Sequence, residues 1–409
     1  MDARTEALKP TWVQEKLLLG MTWQDYRKSN LTPFNAVMAA ILCIGIPVML
    51  YRIFFGLGPS TNLSDDNPWG LWIGFDMLAG IAVASGGFCI ATAVHVLGMK
   101  EYQSMVRPAL VGGTLGYFLA VVGLIFDLGR YYRLYYPFLV SPGPNSILFL
   151  VALSVALYLN CQFFEWCPAI FEWLDWKKLR KWWVKGTFGL TIAGVLLTTG
   201  HQSALGALFL LMPSKLHPLW YSEYISLLFF VSAIYGGITM VIIESMISHR
   251  VFADQIHGED PVHFDNLTLG LGKAAAVVLF AYFFLKVLDL AHGNKWSWLL
   301  TPYGYWYLFE FLGFVALPCL VMIYAVQNRN PTMVRGAAIA AAVGVLLNRV
   351  DVAIVAFNWG LPWEHRYVPS WMEIVITITI IAAGIMAFRF IVNRMPILHD
   401  HPDFEPAKH

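Results

Sequence analysis

The chain has 409 residues, of which 58% are hydrophobic, 15% aromatic and only 13% charged. Soluble domains carry about 25% charged and about 45–50% apolar residues, so no soluble core absorbs this excess and the chain reads as a polytopic membrane protein. A net charge of +1 excludes a protein drawn to nucleic acid or another polyanion by bulk electrostatics.

Taken in chain order, residues 1–32 are polar and charged, with no apolar stretch ahead of a small-residue cleavage site, so no signal peptide is expected. The stretch 12–26 sets Trp12, Leu18, Leu19 and Trp23 among charges. It reads either as a helix lying in the cytoplasmic membrane interface or as a disordered tail. Ten apolar runs come next, at 33–55, 68–97, 107–130, 146–166, 186–210, 222–248, 268–290, 303–327, 332–357 and 370–392. A membrane-crossing helix needs about 20 such residues. The expected fold is therefore an all-α integral membrane protein with about ten transmembrane helices filling 33–392. Residues 393–409 are rich in Pro and charge and are expected to be a disordered cytoplasmic tail whose histidines are solvated. Of the five cysteines (Cys43, Cys89, Cys161, Cys167 and Cys319) no two form a C-x-x-C pair. No metal site, iron–sulfur cluster or thiolate zinc site is expected.

Lys and Arg set the orientation. One side collects Arg4, Lys9, Lys16, Arg27, Lys28, the basic run Lys177–Lys185 and the Arg residues after the even-numbered spans. The other side has only Arg130, Arg133, Lys215, Lys295 and Arg366. Both termini are accordingly expected in the cytoplasm. The linkers near 56–67, 131–145, 211–221, 291–302 and 358–369 then face outwards. They are rich in Pro, Trp and Tyr, which suits an aromatic belt and an external docking face.

An ionisable group inside a span costs about 2.5–3.5 kcal/mol on insertion scales, so it has a partner or a task. At about 1.5 Å per residue, Asp76 lies roughly 12 Å in from Pro68 and Glu310 roughly 10 Å in from Tyr303. Arg349 and Asp351 fall in the outer half of the ninth span, and Asp127 ends the third. The charges thus gather in the outer half on several helices. A water-filled cavity or a buried ion-pair network has this pattern. Asp127, Arg130, Asp289, Lys286, Glu373 and Arg52 also sit near span ends, where snorkelling or structural pairing accounts for them equally well. Asp76 is flanked by Gly74, Ala79, Gly80, Ala82, Ala84, Ser85, Gly86 and Gly87. Such a stripe serves close helix packing, and it also leaves room for a flat ligand. A b-type haem needs two facing imidazoles at one depth. His95 lies near the inner end of the second span and His201 near mid-membrane, so no intrinsic haem is expected.

Several segments resemble one family. LTPFN (31–35), NPWGLWIGFDMLAGIAVASGGF (67–88), DLGR (127–130) and LLNRVDVAIVAFNW (346–359) are similar to the NrfD/PsrC superfamily of membrane subunits of bacterial respiratory complexes. GMTWQDYRKSN (20–30) and the ten spans resemble its long branch, which includes the hydrogenase-2 type (HybB-like), the alternative-complex-III type (ActC-like) and the Qrc menaquinone reductase type. The Qrc type is the expected member. The resemblance implies two four-helix bundles, about 68–210 and 222–357, flanked by the first and last spans. It implies a quinone pocket in the outer half of the first bundle and an external ferredoxin-like iron–sulfur partner. Further periplasmic partners of such complexes are a molybdopterin-family subunit and a multihaem cytochrome c. Where many relatives read Asn-Arg-x-Asn, this chain has Asn348-Arg349-Val350-Asp351, and the extra acid is read as neutralising Arg349.

The residues then suggest a mechanism. A quinone gains two electrons and two protons, and a carboxyl in a low-dielectric pocket can exchange those protons. Asp76 and Asp127 are the expected catalytic acids. Asp76, Gly80, Gly87, Asp127, Arg130 and Arg52 are the expected menaquinone site, with Arg130 tuning Asp127. His95, His201, Ser203, Glu310, Arg349 and Asp351 are the expected proton path. The second half's charges (Lys286, Asp289, Glu310, Arg349 and Asp351) read either as a proton route or as a salt-bridge network. Two other classes stand beside this one: a secondary transporter and a passive membrane anchor of redox subunits.

Overall fold

The computed structural model describes residues 11–256, 261–399 and 404. Ten helices are long and apolar enough to cross a membrane, as expected: α1 (Pro33–Phe55), α2 (Trp72–Val96), α3 (Lys100–Asp127), α4 (Ile147–Trp173), α5 (Thr187–Leu210), α6 (Ile225–Val251), α7 (Val262–His292), α8 (Pro302–Gln327), α9 (Pro331–Val355) and α10 (Trp371–Val392). The described residues form no strand beyond a single bridge between Leu216 and Phe357. The chain is an all-α, multi-pass membrane protein.

The helix starts reflect local chemistry. Thr32, Thr301, Asn330 and Ser370 each accept a backbone N–H with the side chain at the N-cap, and Pro33, Pro302 and Pro331 stand in the first turn, where their missing N–H costs nothing. Several ends differ from the hydropathy reading, among them the start of α3, at Lys100 rather than 107, and two with a visible cause. Helix α4 continues to Trp173, past 166, and α7 starts near 262 rather than 268. Hydropathy registers the hydrocarbon layer, whereas these ends are held by polar contacts beyond it. Glu172 at the end of α4 accepts a forked pair from Arg107 (2.8 and 2.9 Å) and a third bond from Arg180 (2.9 Å). Asp265 in the first turns of α7 pairs with Arg335 at 2.6 Å.

Helices α2–α5 pack around one another, as do α6–α9, and α6 and α9 lie against α2. Helix α10 runs along α1 and α3, closing the molecule on the side away from α6–α9. Gly45 makes the α1–α10 approach: a Cβ there would overlap Thr379. The described residues before α1 and after α10 meet on one face, where Arg394 donates to Leu17 O (3.0 Å) and Tyr26 Oη (2.6 Å), and Arg389 donates to Asn35 (2.9 Å). We call this the terminal face and the opposite one the distal face. The 12–26 stretch is helical in two pieces, Trp12–Lys16 and Trp23–Ser29, broken at Leu19 and Gly20, both with positive φ. Trp23 is 65% exposed, as an interfacial anchor requires, while Trp12 lies 5.9 Å from the Trp173 ring. In the tail, Asn393–His399 and Phe404 are described. Phe404 is buried under Lys177 and Arg180. Residues 1–10, 400–403 and 405–409 lie outside the described residues.

Glu172 is 1% exposed and holds both Arg107 and Arg180, so its removal breaks both contacts at once. Breaking such a buried pair costs about 3–5 kcal/mol. Glu172→Ala is expected to lower the melting temperature of the detergent-solubilised protein clearly. An unchanged melting curve would show that the fork contributes nothing.

Candidate functional site

Helix α2 opens as a π-helix over Trp72–Ala79, bends at Ala84–Ser85 and closes with a second π-segment, Thr92–Val96. Such widened turns shift the side chains beyond them and recur at functional sites. Asp76 lies in the first segment. The helix begins at Trp72, so Asp76 is about 6 Å from its end, half the depth expected from Pro68. Asp76 is 7% exposed and accepts one hydrogen bond, from Thr377 Oγ1 of α10 at 2.7 Å. Its other flank is covered by α3, where a Cβ on Gly123 would lie 2.7 Å from Asp76 Cβ.

Around Asp76, four helices deliver further polar groups to the distal end. Arg52 of α1 is 1% exposed and donates from Nε to Phe126 O (2.8 Å) and from Nη2 to Leu128 O (2.9 Å), so it caps the last carbonyls of α3. It is also the cation that acts on Asp127. Arg130, expected in that role, is instead exposed just beyond the end of α3, because the chain leaves the helix at Leu128 and turns outward. Glu373 of α10 is fully buried and accepts from Asn62 N, Ser370 N and Tyr367 Oη. Tyr367 in turn accepts from Leu71 N at 2.9 Å, tying α10 to the start of α2. Two buried polar atoms of the group have no protein partner: the indole N–H of Trp72 and Oδ1 of Asp127. Unpaired buried groups are rare and call for a water, ion or ligand.

The glycines divide. At Gly80, one turn after Asp76, a Cβ would meet only Phe75 O at 3.8 Å, which leaves space. At Gly87 a Cβ would strike the Gln162 side chain and Ala109 O, so Gly87 serves the crossing of α2 with α3 and α4 and does not line a ligand space. Sequence reading missed Trp72, Thr377, Tyr367 and Glu373 as neighbours of Asp76. The pre-helical NPWGLW run and the Ser370–Glu373 capping box are visible in the sequence, but nothing local says that they meet.

The expected proton-path residues fall into two separate places. In the terminal half of α2–α5, His95 Nδ1 lies 2.9 Å from Thr191 Oγ1, which donates to Glu165 Oε1. Ten residues further along α5, His201 Nε2 lies 2.7 Å from Tyr117 Oη, and Gln202 donates to Tyr117 Oη at 3.3 Å. Ser203 is half-buried and takes no part in these bonds. Glu165, Tyr117 and Gln202 are the members that sequence reading missed.

The second place lies among α6–α9. Glu310 accepts from Trp220 Nε1 (2.9 Å) and Asn348 Nδ2 (2.7 Å), and faces the Asp351 carboxyl, which accepts from Trp306 Nε1 at 2.9 Å. Lys286 acts on both acids and lies 4.8 Å from the Tyr307 ring centre. Arg349 does not form the expected pair with Asp351. Two residues apart on a helix, they point to different sides. Arg349 donates to Phe229 O (2.9 Å), Ser232 Oγ (2.8 Å) and Asn348 Oδ1 (3.1 Å), and its guanidinium sits 3.5 Å from the Phe229 ring centre. Of the charges expected in this network, Asp289 makes a direct ion pair, with Lys295 at 2.7 Å. The network reading therefore holds only in part: two carboxyls meet, with one lysine beside them.

A lid covers this second cluster on the distal face. His217 is 1% exposed, with the rings of Tyr303, Trp359, Trp298 and Trp220 at 4.7, 4.8, 5.2 and 5.6 Å. Its backbone N–H donates to Ala356 O at 2.9 Å, and its Nδ1 accepts from Leu219 N, so the neutral ring is held with its proton on Nε2.

A helical membrane protein with buried acids and an unpaired indole at its distal end is the class that this geometry defines. The chain belongs to the NrfD family: the family model described as "Polysulphide reductase, NrfD" matches residues 59–359. Similar along nearly its whole length is a protein of Nitratidesulfovibrio vulgaris Hildenborough, 46% identical over 390 residues, covering 95% of this chain and 100% of the relative. The probable Ni/Fe-hydrogenase 2 b-type cytochrome subunit of Escherichia coli K12 is 32% identical over 382 residues (91% and 95%). The menaquinone reductase integral membrane subunit of N. vulgaris is 26% identical over 383 residues (85% and 87%). The menaquinone reductase relative matches at lower identity than the hydrogenase relative.

Burial pushes His217, which lies outside the spans, down to about 4 from its usual 6.5. A depressed histidine stabilises the fold fully above the unfolded pKa and loses that contribution as pH falls from about 6.5 towards 4. Tryptophan emission is expected to shift over this window as Trp220, Trp298 and Trp359 are exposed. His217→Gln should remove that shift, and an identical titration in the variant would contradict the assignment.

Proposed function

We propose that this chain is the quinone-interacting membrane subunit of a respiratory oxidoreductase complex. It exchanges electrons between an iron–sulfur subunit docked on the distal face and menaquinone, in the direction of menaquinone reduction. The observation that carries this reading is the distal group of Asp76, Asp127, Arg52 and Trp72, with its unpaired donor and acceptor, in a chain of the NrfD family. Names of relatives that refer to a menaquinone reductase and to a hydrogenase support it.

A quinone that takes two electrons also takes two protons, and its ring oxygens become hydroxyls. Trp72 N–H supplies a donor to one ring oxygen. Asp76 passes a proton, with Thr377 holding its carboxylate in one rotamer between transfers. Asp127 serves as the second acid, and Arg52 keeps the local charge balanced while Asp127 is ionised. The space beside Gly80 receives the ring. The name of the hydrogenase relative speaks of a b-type cytochrome, which raises the question of a haem here. The residues do not fit one. His95 contacts Thr191, whereas His201 lies ten residues further along the same helix, about 15 Å away, so the two imidazoles cannot flank one iron. The electrons therefore enter from a partner. The His95–Thr191–Glu165 and His201–Tyr117–Gln202 groups form the first-half segments of a proton path from the terminal face. Glu310 and Asp351 offer a second route.

The test is fluorescence-quench titration of the purified protein with the quinone analogue 2-heptyl-4-hydroxyquinoline N-oxide. Saturation at one site per chain is expected, lost in Asp76→Asn together with quinone turnover. Trp72→Phe keeps the ring but removes the donor, and should weaken binding about fivefold, the value of one hydrogen bond near 1 kcal/mol. Arg52→Gln should weaken binding while Arg130→Gln leaves it unchanged. Full turnover in Asp76→Asn would move the site away from α2, and absent saturation in a folded sample would favour the anchor or transporter reading.

A further inference from the structure

Glu244 belongs to none of the groups described above. It lies on α6 seven residues from Val251, roughly 10 Å from the terminal end of that helix. Its carboxyl rests on Gly112 of α3, where a Cβ would come 2.6 Å from Oε2 and 2.9 Å from Oε1. Any larger residue at 112 would displace it. Oε1 is buried with no hydrogen-bond partner, and no cation among the described residues acts on the carboxyl. An ionised carboxyl so placed is costly, and a bound proton removes the charge.

A polar cleft lies one helical turn nearer the terminal face. Pro108 and Ser248 lie four residues from Gly112 and Glu244 on the same helix faces, and both line a cleft with Ser104, Ser245 and His249. Ile256 and Leu398, from the segments after α6 and α10, form its rim, so the cleft reaches the terminal face. Among the described residues, the titratable groups about it are His249, which stacks on Phe264 at 3.6 Å, and Arg335, which lies 4.9 Å from the same ring and pairs with Asp265. Three serine side chains give water a polar lining there.

We propose that Glu244 is a reversible proton-binding site, loaded through this cleft from the terminal face at the seam between α3 and α6. The site stands apart from the quinone reading, and its test does not need quinone. The experiment uses the full protein in membrane vesicles, labelled with a hydrophobic carbodiimide. The reagent adds to a protonated carboxyl, whose proton moves to a carbodiimide nitrogen, and rearranges to a stable N-acylurea with every atom retained. Peptide mass spectrometry is expected to find the adduct on Glu244, and Glu244→Gln to abolish it. Raising the pH on the terminal side should suppress the adduct, and raising it on the distal side should not. Ser245→Phe, which leaves Glu244 in place but fills the cleft, should slow labelling severalfold. No adduct on Glu244, an adduct that tracks the distal pH, or a rate unchanged by Ser245→Phe would each overturn the proposal. Quinone-analogue binding measured on the same vesicles reports on the distal site alone, so failure of one reading is distinguishable from failure of the other.

Discussion

A charged side chain in the hydrocarbon layer must be answered within a few ångströms, and the interior of this protein is arranged around that requirement. The answers are mostly neutral. Arg52 is held by two carbonyls at the end of α3, and Arg349 by a carbonyl, a serine and an asparagine. Glu310 is held by an indole and an amide, Glu373 by backbone N–H groups and a phenol. Each answer comes at least in part from another segment of the chain. The charges therefore act as ties between helices that packing of apolar surfaces alone would leave free to slide. In lipid such surfaces have little preference for one another over the acyl chains.

Widened helical turns accompany the charges. Asp76 lies within one π-segment, Glu310 stands two residues before another at Leu312–Ala316, and Asp351 opens a third at Asp351–Val355. An extra residue in a turn rotates the rest of the helix about its axis and loosens the backbone ladder locally. This allows Glu310 and Asp351 to face each other from different helices while Arg349, two residues away, turns to α6. The same device at the start of α2 sets Asp76 towards α10, where Thr377 meets it.

Three of the regions that hold acids differ in kind. The distal group is incomplete, with a buried donor and acceptor left unpaired between α1, α2, α3 and α10. The α6–α9 cluster is closed above by the aromatic lid around His217, so its exchange with the distal face requires that lid to move. The terminal seam at Glu244 has a polar cleft beneath it. The proposed quinone chemistry uses the first, and the proposed proton uptake at Glu244 uses the third.

Much of this was legible in the sequence. Ten runs of apolar residues are unmistakable because a bilayer demands about 20 in a row, and the helix starts at Pro33, Pro302, Pro331 and Ser370 carry their own caps. The rarity of charge in those runs singled out Asp76, Asp127, Glu310 and Arg349. What spacing could not reveal was who answers whom. Arg130 stands three residues from Asp127, yet the cation that acts on it is Arg52, 75 residues away, because α3 ends between the first two. Asp351 stands two residues from Arg349, yet a helix turns them apart. Gly80 and Gly87 belong to one stripe, yet one faces space and the other a crossing helix. Thr377 and Glu373 reach α2 only because α10 returns along α1 and α3. Burial and helix length are local properties and are written in composition. Partnership across hundreds of residues depends on how helices pack, and that only the tertiary structure decided.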